Sequence, residues 1–155
     1  MTEQLPLIHV GQDVKTSDDY YTPKWLFDAL GLVFDIDVAC PPEGPLHTPC
    51  RNYYSVKDDG LAQHWNGRVW MNPPYSGPKP WVTKFIEHKN GVALVPFAKS
   101  KWHQDLWDSD AKFVYVRAIT FVKGDTNLGQ APFALGLWAF GEENVAAIGR
   151  VGKVR

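Results

Sequence analysis

The four residues Asn72-Pro73-Pro74-Tyr75 combine a side-chain amide, two rings that fix the backbone and a flat aromatic face. Proline locks its own φ, carries no N–H donor, and drives the residue before it toward an extended conformation. The segment is therefore stiff, and its carbonyls are left free as acceptors. The Asn72 side-chain oxygen and the Pro73 carbonyl can together accept both hydrogens of one amine. Such a pair suits alkylation of an exocyclic amino group on a base, whose lone pair is delocalised into the ring and is a poor nucleophile. Two fixed acceptors favour a pyramidal nitrogen and stabilise the positive charge that grows on it, an effect exerted mainly in the transition state. No strong general base is needed, and Tyr75 supplies a stacking face for a base extruded from a duplex. A Pro-Pro turn ending in a core tyrosine would use the same four residues, so the surroundings must decide.

Those surroundings read as alternating short elements. GRVWMN runs into the motif as a strand, and in open α/β sheets ligands bind beyond the C-terminal strand ends. Upstream, Thr22 suits an N-cap and Pro23 a first helical position, with Trp25, Leu26, Ala29 and Leu30 at helical spacing before Gly31. In LVFDIDVAC, Phe34, Ile36 and Val38 alternate with Asp35 and Asp37, the period of a strand. Residues 41–57 are rich in Pro and turn formers and read as a long excursion, of the kind compact domains keep for function. Trp81, Val82, Phe85 and Ile86 predict a helix to about His88, GVALVPF a buried strand, KWHQDLW a helix and KFVYV a strand. PFALGLWAF and the final VAAIGRVGKVR are two further strand candidates. The sum is an α/β domain, a mixed sheet with helices on both faces, over residues 18–155, preceded by a flexible lead-in over residues 1–17.

In the order and spacing of YYTPKWLFDAL, FDIDVAC, RNYYSVKDDGLAQHW, GRVWMNPPYS and VALVPFAKSKW, the chain resembles the phage Dam-like DNA adenine methyltransferases. The resemblance implies a compact Rossmann-like fold and methyl transfer from S-adenosylmethionine to the exocyclic amine of adenine, with DNA as partner and no metal. It places Asn72, Pro73, Pro74 and Tyr75 at the catalytic motif. It brings Tyr21, Thr22 and Pro23 to the methionine part of the donor, Asp37 to the donor-binding strand, and Asp59 and Leu61 near the donor's adenine. It also implies a role in protecting phage DNA from restriction, in the host cytoplasm. No GxG occurs anywhere in the chain, so the usual glycine-rich donor loop is missing and VACPPEGPLHTP is the candidate to close the pocket instead.

Composition narrows the alternatives. The 155 residues suit one domain, and 45% hydrophobic content suffices for a packed core. A formal charge of −1 excludes a surface that is basic throughout, so nucleic-acid contact must come from a local patch. No apolar run approaches the roughly 18–20 residues of a membrane helix, and the first residues lack the pattern of a secretory signal, which predicts an intracellular protein. Cys40 and Cys50 match no paired zinc spacing and read as free thiols.

Asp35 and Asp37 could ligate a metal, and Glu87-His88-Lys89 offers the E-x-K of metal-dependent nucleases, but it falls at a helix end where those enzymes use a strand. Trp25, Trp81, Trp102 and Trp107 read as core or half-buried packing residues, while Trp65 and Trp70, flanking the motif strand, could wall a base pocket. Lys99 and Lys101 follow the VALVPF strand onto the same sheet rim as Asn72, which suits phosphate contact. Arg150, Lys153 and Arg155 form a basic tail that could hold backbone phosphates. A DNA-binding subunit without transfer activity and a protein-amide methyltransferase are the competing functions.

Overall fold

The computed structural model describes residues 21–116, 119–123, 126–130 and 133–155. The lead-in expected over residues 1–17 lies outside the described residues. Helix α1, Lys24–Leu30, turns Leu26, Phe27 and Leu30 inward and stops at Gly31, whose φ of 66° lies in the left-handed region that favours a residue without Cβ. Thr22 does not cap it: extended Pro23 is the N-cap residue and there is no side-chain cap. Strands β1 (Phe34–Asp37), β2 (Cys50–Tyr53) and β3 (Val69–Met71) follow, then helix α2 (Lys79–His88), strand β4 (Gly91–Pro96), helix α3 (Lys101–Asp108) and strand β5 (Lys112–Val116). A hairpin of β6 (Thr120–Lys123) and β7 (Thr126–Gln130) leads to β8 (Leu135–Phe140) and helix α4 (Glu142–Ile148).

Among the described residues, six strands form one sheet in the order β2-β1-β3-β4-β8-β5. The pairs β1/β2, β1/β3 and β3/β4 are parallel, while β8 runs antiparallel to both β4 and β5. Helices cover both faces, as expected. On β4, Val92 and Leu94 point into a cluster with α1 and α4, whereas Ala93 and Val95 point into another with α2 and α3. A strand buried on both faces must be apolar at every position, which is why GVALVP has no polar residue. No described helix is long and apolar enough to cross a membrane.

Three further expectations need correction. The Cys50–Tyr53 segment of the predicted excursion is an edge strand, mostly exposed and too polar to announce itself by periodicity. Phe34 and Ile36, expected on one face, enter opposite clusters. The amides of Asp35 and Ile36 both point at the Arg68 carbonyl, at 2.7 and 3.4 Å, so the strand turns there. Residues 145–148 belong to α4 and not to a strand: Gly141 opens the helix at φ 99°, and Glu142 and Glu143 stand in its first turn, where the helix dipole favours acids. Asn144, Ala147 and Ile148 are then buried at helical spacing. The chain beyond α4 does reach the sheet, since Phe113 and Arg155 exchange backbone hydrogen bonds of 3.1 and 2.8 Å.

Candidate active site

Strand order reverses between β1 and β3: the chain leaves β1 for β2 on one side, and continues from β3 to β4 on the other. A crevice opens at the C-terminal ends of such a pair, because the two following connections diverge. Here those connections are Val38–Pro42 after β1 and Asn72–Pro74 after β3. All of these except Pro73 line a cleft of about 300 Å³, together with Ser55, Val56, Asp59, Gly60 and Trp81. The proline-rich segment after β1 thus forms one wall, the place expected for VACPPEGPLHTP in a chain lacking GxG.

Asn72 is tied to the N-terminal segment across 50 residues: its Nδ2 donates to Thr22 Oγ1 at 3.2 Å. Its Oδ1 is screened from solvent and has no hydrogen-bond partner among the described residues. An unpaired buried carbonyl oxygen costs about 1–3 kcal/mol. An incoming amino group would remove that cost, so the site holds an acceptor in waiting. Pro73 is buried and Pro74 half-buried, with Gly77 N–H closing the turn onto the Pro74 carbonyl at 3.1 Å.

Asp37 ends β1 and is buried, accepting from the Ala39 amide at 3.2 Å. Burial raises its carboxyl from 3.8 to about 7, partly offset by hydrogen bonds from Ala39 and Thr48. Cys40, on the cleft wall, is a free thiol that burial and the nearby Asp37 push well above its ordinary value, so it is not a nucleophile at neutral pH. Cys50 is also free, its thiol raised by burial to about 11. Asp59, exposed at the cleft margin, adopts a left-handed φ of 52°. Gly60 beside it has no room for a side chain, because a Cβ would stand 2.2 Å from the Val38 carbonyl oxygen and 3.2 Å from Trp81.

The other expected site residues fall around this centre. Tyr75 turns its half-buried ring onto Phe133, at 5.7 Å between centroids, and its hydroxyl donates to the Leu94 carbonyl on β4 at 3.1 Å. Burial raises that phenol well above its ordinary value, so it stays a donor. Tyr21 is buried and donates to the Gly44 carbonyl at 3.2 Å, which braces the loop after β1. Pro23 starts α1. Leu61 is not in the cleft: it lines a separate depression with Lys79 and Lys84, and Lys84 Nζ donates to its carbonyl at 2.8 Å. Lys99 is exposed just past β4, on the rim that carries Asn72. Lys101, also exposed, is paired with Asp105 one turn along α3, which raises its pKa.

The tryptophans divide differently from expectation. Trp70 is fully buried between Phe27 and Phe34, and Trp65 is buried with its Nε1 donating to the Gly60 carbonyl at 2.9 Å, so neither walls the cleft directly. Trp81 does, resting against Trp65 at 6.5 Å and 23° between ring planes. Trp25 and Trp107 are exposed rather than core. Sequence reading assigns Trp81 only to packing and gives Ser55, Val56 and Gly60 no role; of these three only Gly60, in DDGL, carries a signal, a glycine beside a predicted donor contact. Asp35 pairs with Arg51 and accepts from the Arg68 amide, away from Asp37. Among the described residues no group of three or more His, Cys, Asp or Glu side chains could hold a metal ion.

Residues 11–134 match the family model described as DNA N-6-adenine-methyltransferase (Dam). A DNA N-6-adenine-methyltransferase of Haemophilus phage HP1 is 30% identical over 122 residues, covering 70% of this chain and 69% of that protein. One from Escherichia phage T1 is 33% identical over 92 residues, covering 55% of this chain and 37% of that protein. No solved structure matches the chain.

Proposed function

The chain belongs to the DNA N-6-adenine-methyltransferase (Dam) family, and on that premise we propose that residues 18–155 form one Rossmann-like domain that methylates the exocyclic amine of adenine in DNA. The observation that carries the reading is the unpaired, solvent-screened Asn72 Oδ1 on the wall of a cleft at the strand-order reversal. The cleft has the composition for S-adenosylmethionine. Val38, Pro41, Pro42, Val56 and Trp81 give flat apolar walls for a heteroaromatic ring, and the Asp59 carboxylate suits a cationic ligand. Bound there, S-adenosylmethionine supplies an electrophilic methyl group on a sulfonium sulfur.

The chain's own residues do the rest. Asn72 Oδ1 and the Pro73 carbonyl accept the two amino hydrogens of adenine, which draws the nitrogen toward tetrahedral geometry and stabilises its developing positive charge. Pro73 and Pro74 keep both acceptors fixed, so little reorganisation accompanies the reaction. Thr22 holds the Asn72 amide by its Nδ2 and so presents Oδ1, an orienting role that stands beside the donor contact implied by the family resemblance. Tyr75, half-buried against the core with its hydroxyl on the Leu94 carbonyl, offers the part of its ring left to solvent as the stacking face for the extruded base. Asp37, beneath the loop after β1, and Tyr21, through Gly44, shape the donor wall, with Pro23 fixing where α1 begins.

Asn72→Ala tests the proposal. Removing one preorganised polar group of this kind lowers turnover by roughly 10²–10³-fold, and donor affinity measured by calorimetry should be retained. Wild-type turnover in Asn72→Ala would remove the mechanism.

A further inference from the structure

A second depression, of about 450 Å³, is lined by Trp25, Tyr115, Lys153 and Arg155, with Val116 and Gly152 between them. Register fixes its position. Val116, Leu135 and Pro96 lie level across β5, β8 and β4, so the end of β5 belongs to the rim that carries Asn72. Three strand intervals separate β3 from β5, about 14 Å at about 4.8 Å each. The start of α1 spans that interval, since Thr22 touches Asn72 and Trp25 stands in the first turn.

Two features make this groove more than a surface irregularity. Trp25 and Tyr115 leave 46% and 52% of their surfaces exposed, the rings being offered to solvent where burial would stabilise the fold. The two cations stand beside them, and among the described residues no Asp or Glu side chain lines the groove. The basic tail read from sequence is also held against the sheet. Arg155 is tied to Phe113 by backbone hydrogen bonds in both directions, and Gly152 lies so close to β5 that a Cβ there would stand 2.6 Å from Val114 Cγ1. The charges are thus presented from fixed backbone, so that only their side chains are left to order on binding.

Exposed rings interleaved with fixed cations suit a polyanion that carries stackable bases. We propose that this groove holds the DNA strand flanking the target adenine, with backbone phosphates on Lys153 and Arg155 and an unstacked base on Tyr115 or Trp25. The inference rests on the DNA reading of the Asn72 site, but family membership does not assign it, because Lys153 and Arg155 lie beyond residues 11–134.

The test uses the full chain with Lys153→Gln/Arg155→Gln and, separately, Tyr115→Ala, measuring KM for an unmethylated oligonucleotide and the salt dependence of its binding. Losing two phosphate contacts should flatten the slope of log K against log salt by roughly 1.4–1.8. Losing the stacking face should weaken DNA binding about five- to a hundredfold. Retained donor affinity confirms that the variants are folded. Unchanged KM and slope in both variants, with wild type methylating DNA normally, would overturn the groove alone. A wild-type protein that binds donor but neither binds nor methylates DNA would overturn the groove together with the reading it rests on.

Discussion

Replacing Thr22 with Val removes one buried hydroxyl at nearly constant volume. That hydroxyl accepts from Asn72 Nδ2 at 3.2 Å and takes no part in capping α1, so the helix should lose little. The Asn72 amide loses its tether, and its N–H groups are left without a partner in a site that is largely screened from water. A buried donor left unpaired costs about 1–3 kcal/mol. If the loss falls on the transition state, turnover drops by about five- to a hundredfold, at about 1.4 kcal/mol per factor of ten. The assay is kcat at saturating donor and DNA, beside donor affinity from calorimetry, for Thr22→Val and Thr22→Ser. The expected result is a low kcat in the valine variant, recovery in the serine variant and donor affinity unchanged in both. Wild-type kcat in Thr22→Val would refute the orienting role. Weakened donor binding with kcat intact would instead place Thr22 on the methionine end of the donor, where the family resemblance sets it.

Asp37 predicts a pH signature of stability. Its carboxyl titrates near 7 when folded, against 3.8 ordinarily, so between those values the folded chain carries a proton that the unfolded chain has released. Stability contributed at Asp37 therefore falls as pH rises from about 4 to about 7, by up to about 4 kcal/mol. Asp37→Asn should raise Tm relative to wild type progressively across that window, and a difference that does not vary with pH would contradict the assignment. Gly60→Ala should force the cleft walls apart, since its Cβ would meet the Val38 carbonyl and Trp81. Calorimetry should find weakened donor affinity there, and unchanged affinity would mean that the donor lies elsewhere.

Much of this architecture was legible because burial leaves a period in the chain. GVALVP could only be a strand covered on both faces, and KPWVTKFIEH places Val82 and Phe85 one helical turn apart. The catalytic segment was legible for a different reason: two consecutive prolines after a strand constrain the backbone whatever packs around them. What stayed hidden depends on contacts between distant residues. Thr22 looked like a cap because its neighbours favour one, and nothing local reveals a partner 50 residues away. Cys50–Tyr53 pairs at a sheet edge with its side chains mostly in solvent, so no apolar alternation marks it. The residues of α4 were split because the first-turn glutamates were not joined to the apolar run that follows them. Trp25, adjacent to buried Leu26 and four residues before Ala29, is 46% exposed, and its neighbour across the groove, Tyr115, is 90 residues away in the chain.

The most direct test of the account is transfer of a radiolabelled methyl group from S-adenosylmethionine to unmethylated DNA by the wild-type chain, followed by nucleoside analysis, with Asn72→Ala in parallel. Label is expected in N6-methyladenine with wild type, with near-complete loss in Asn72→Ala. Label in another nucleoside, label in protein alone, or an Asn72→Ala variant as active as wild type would contradict it.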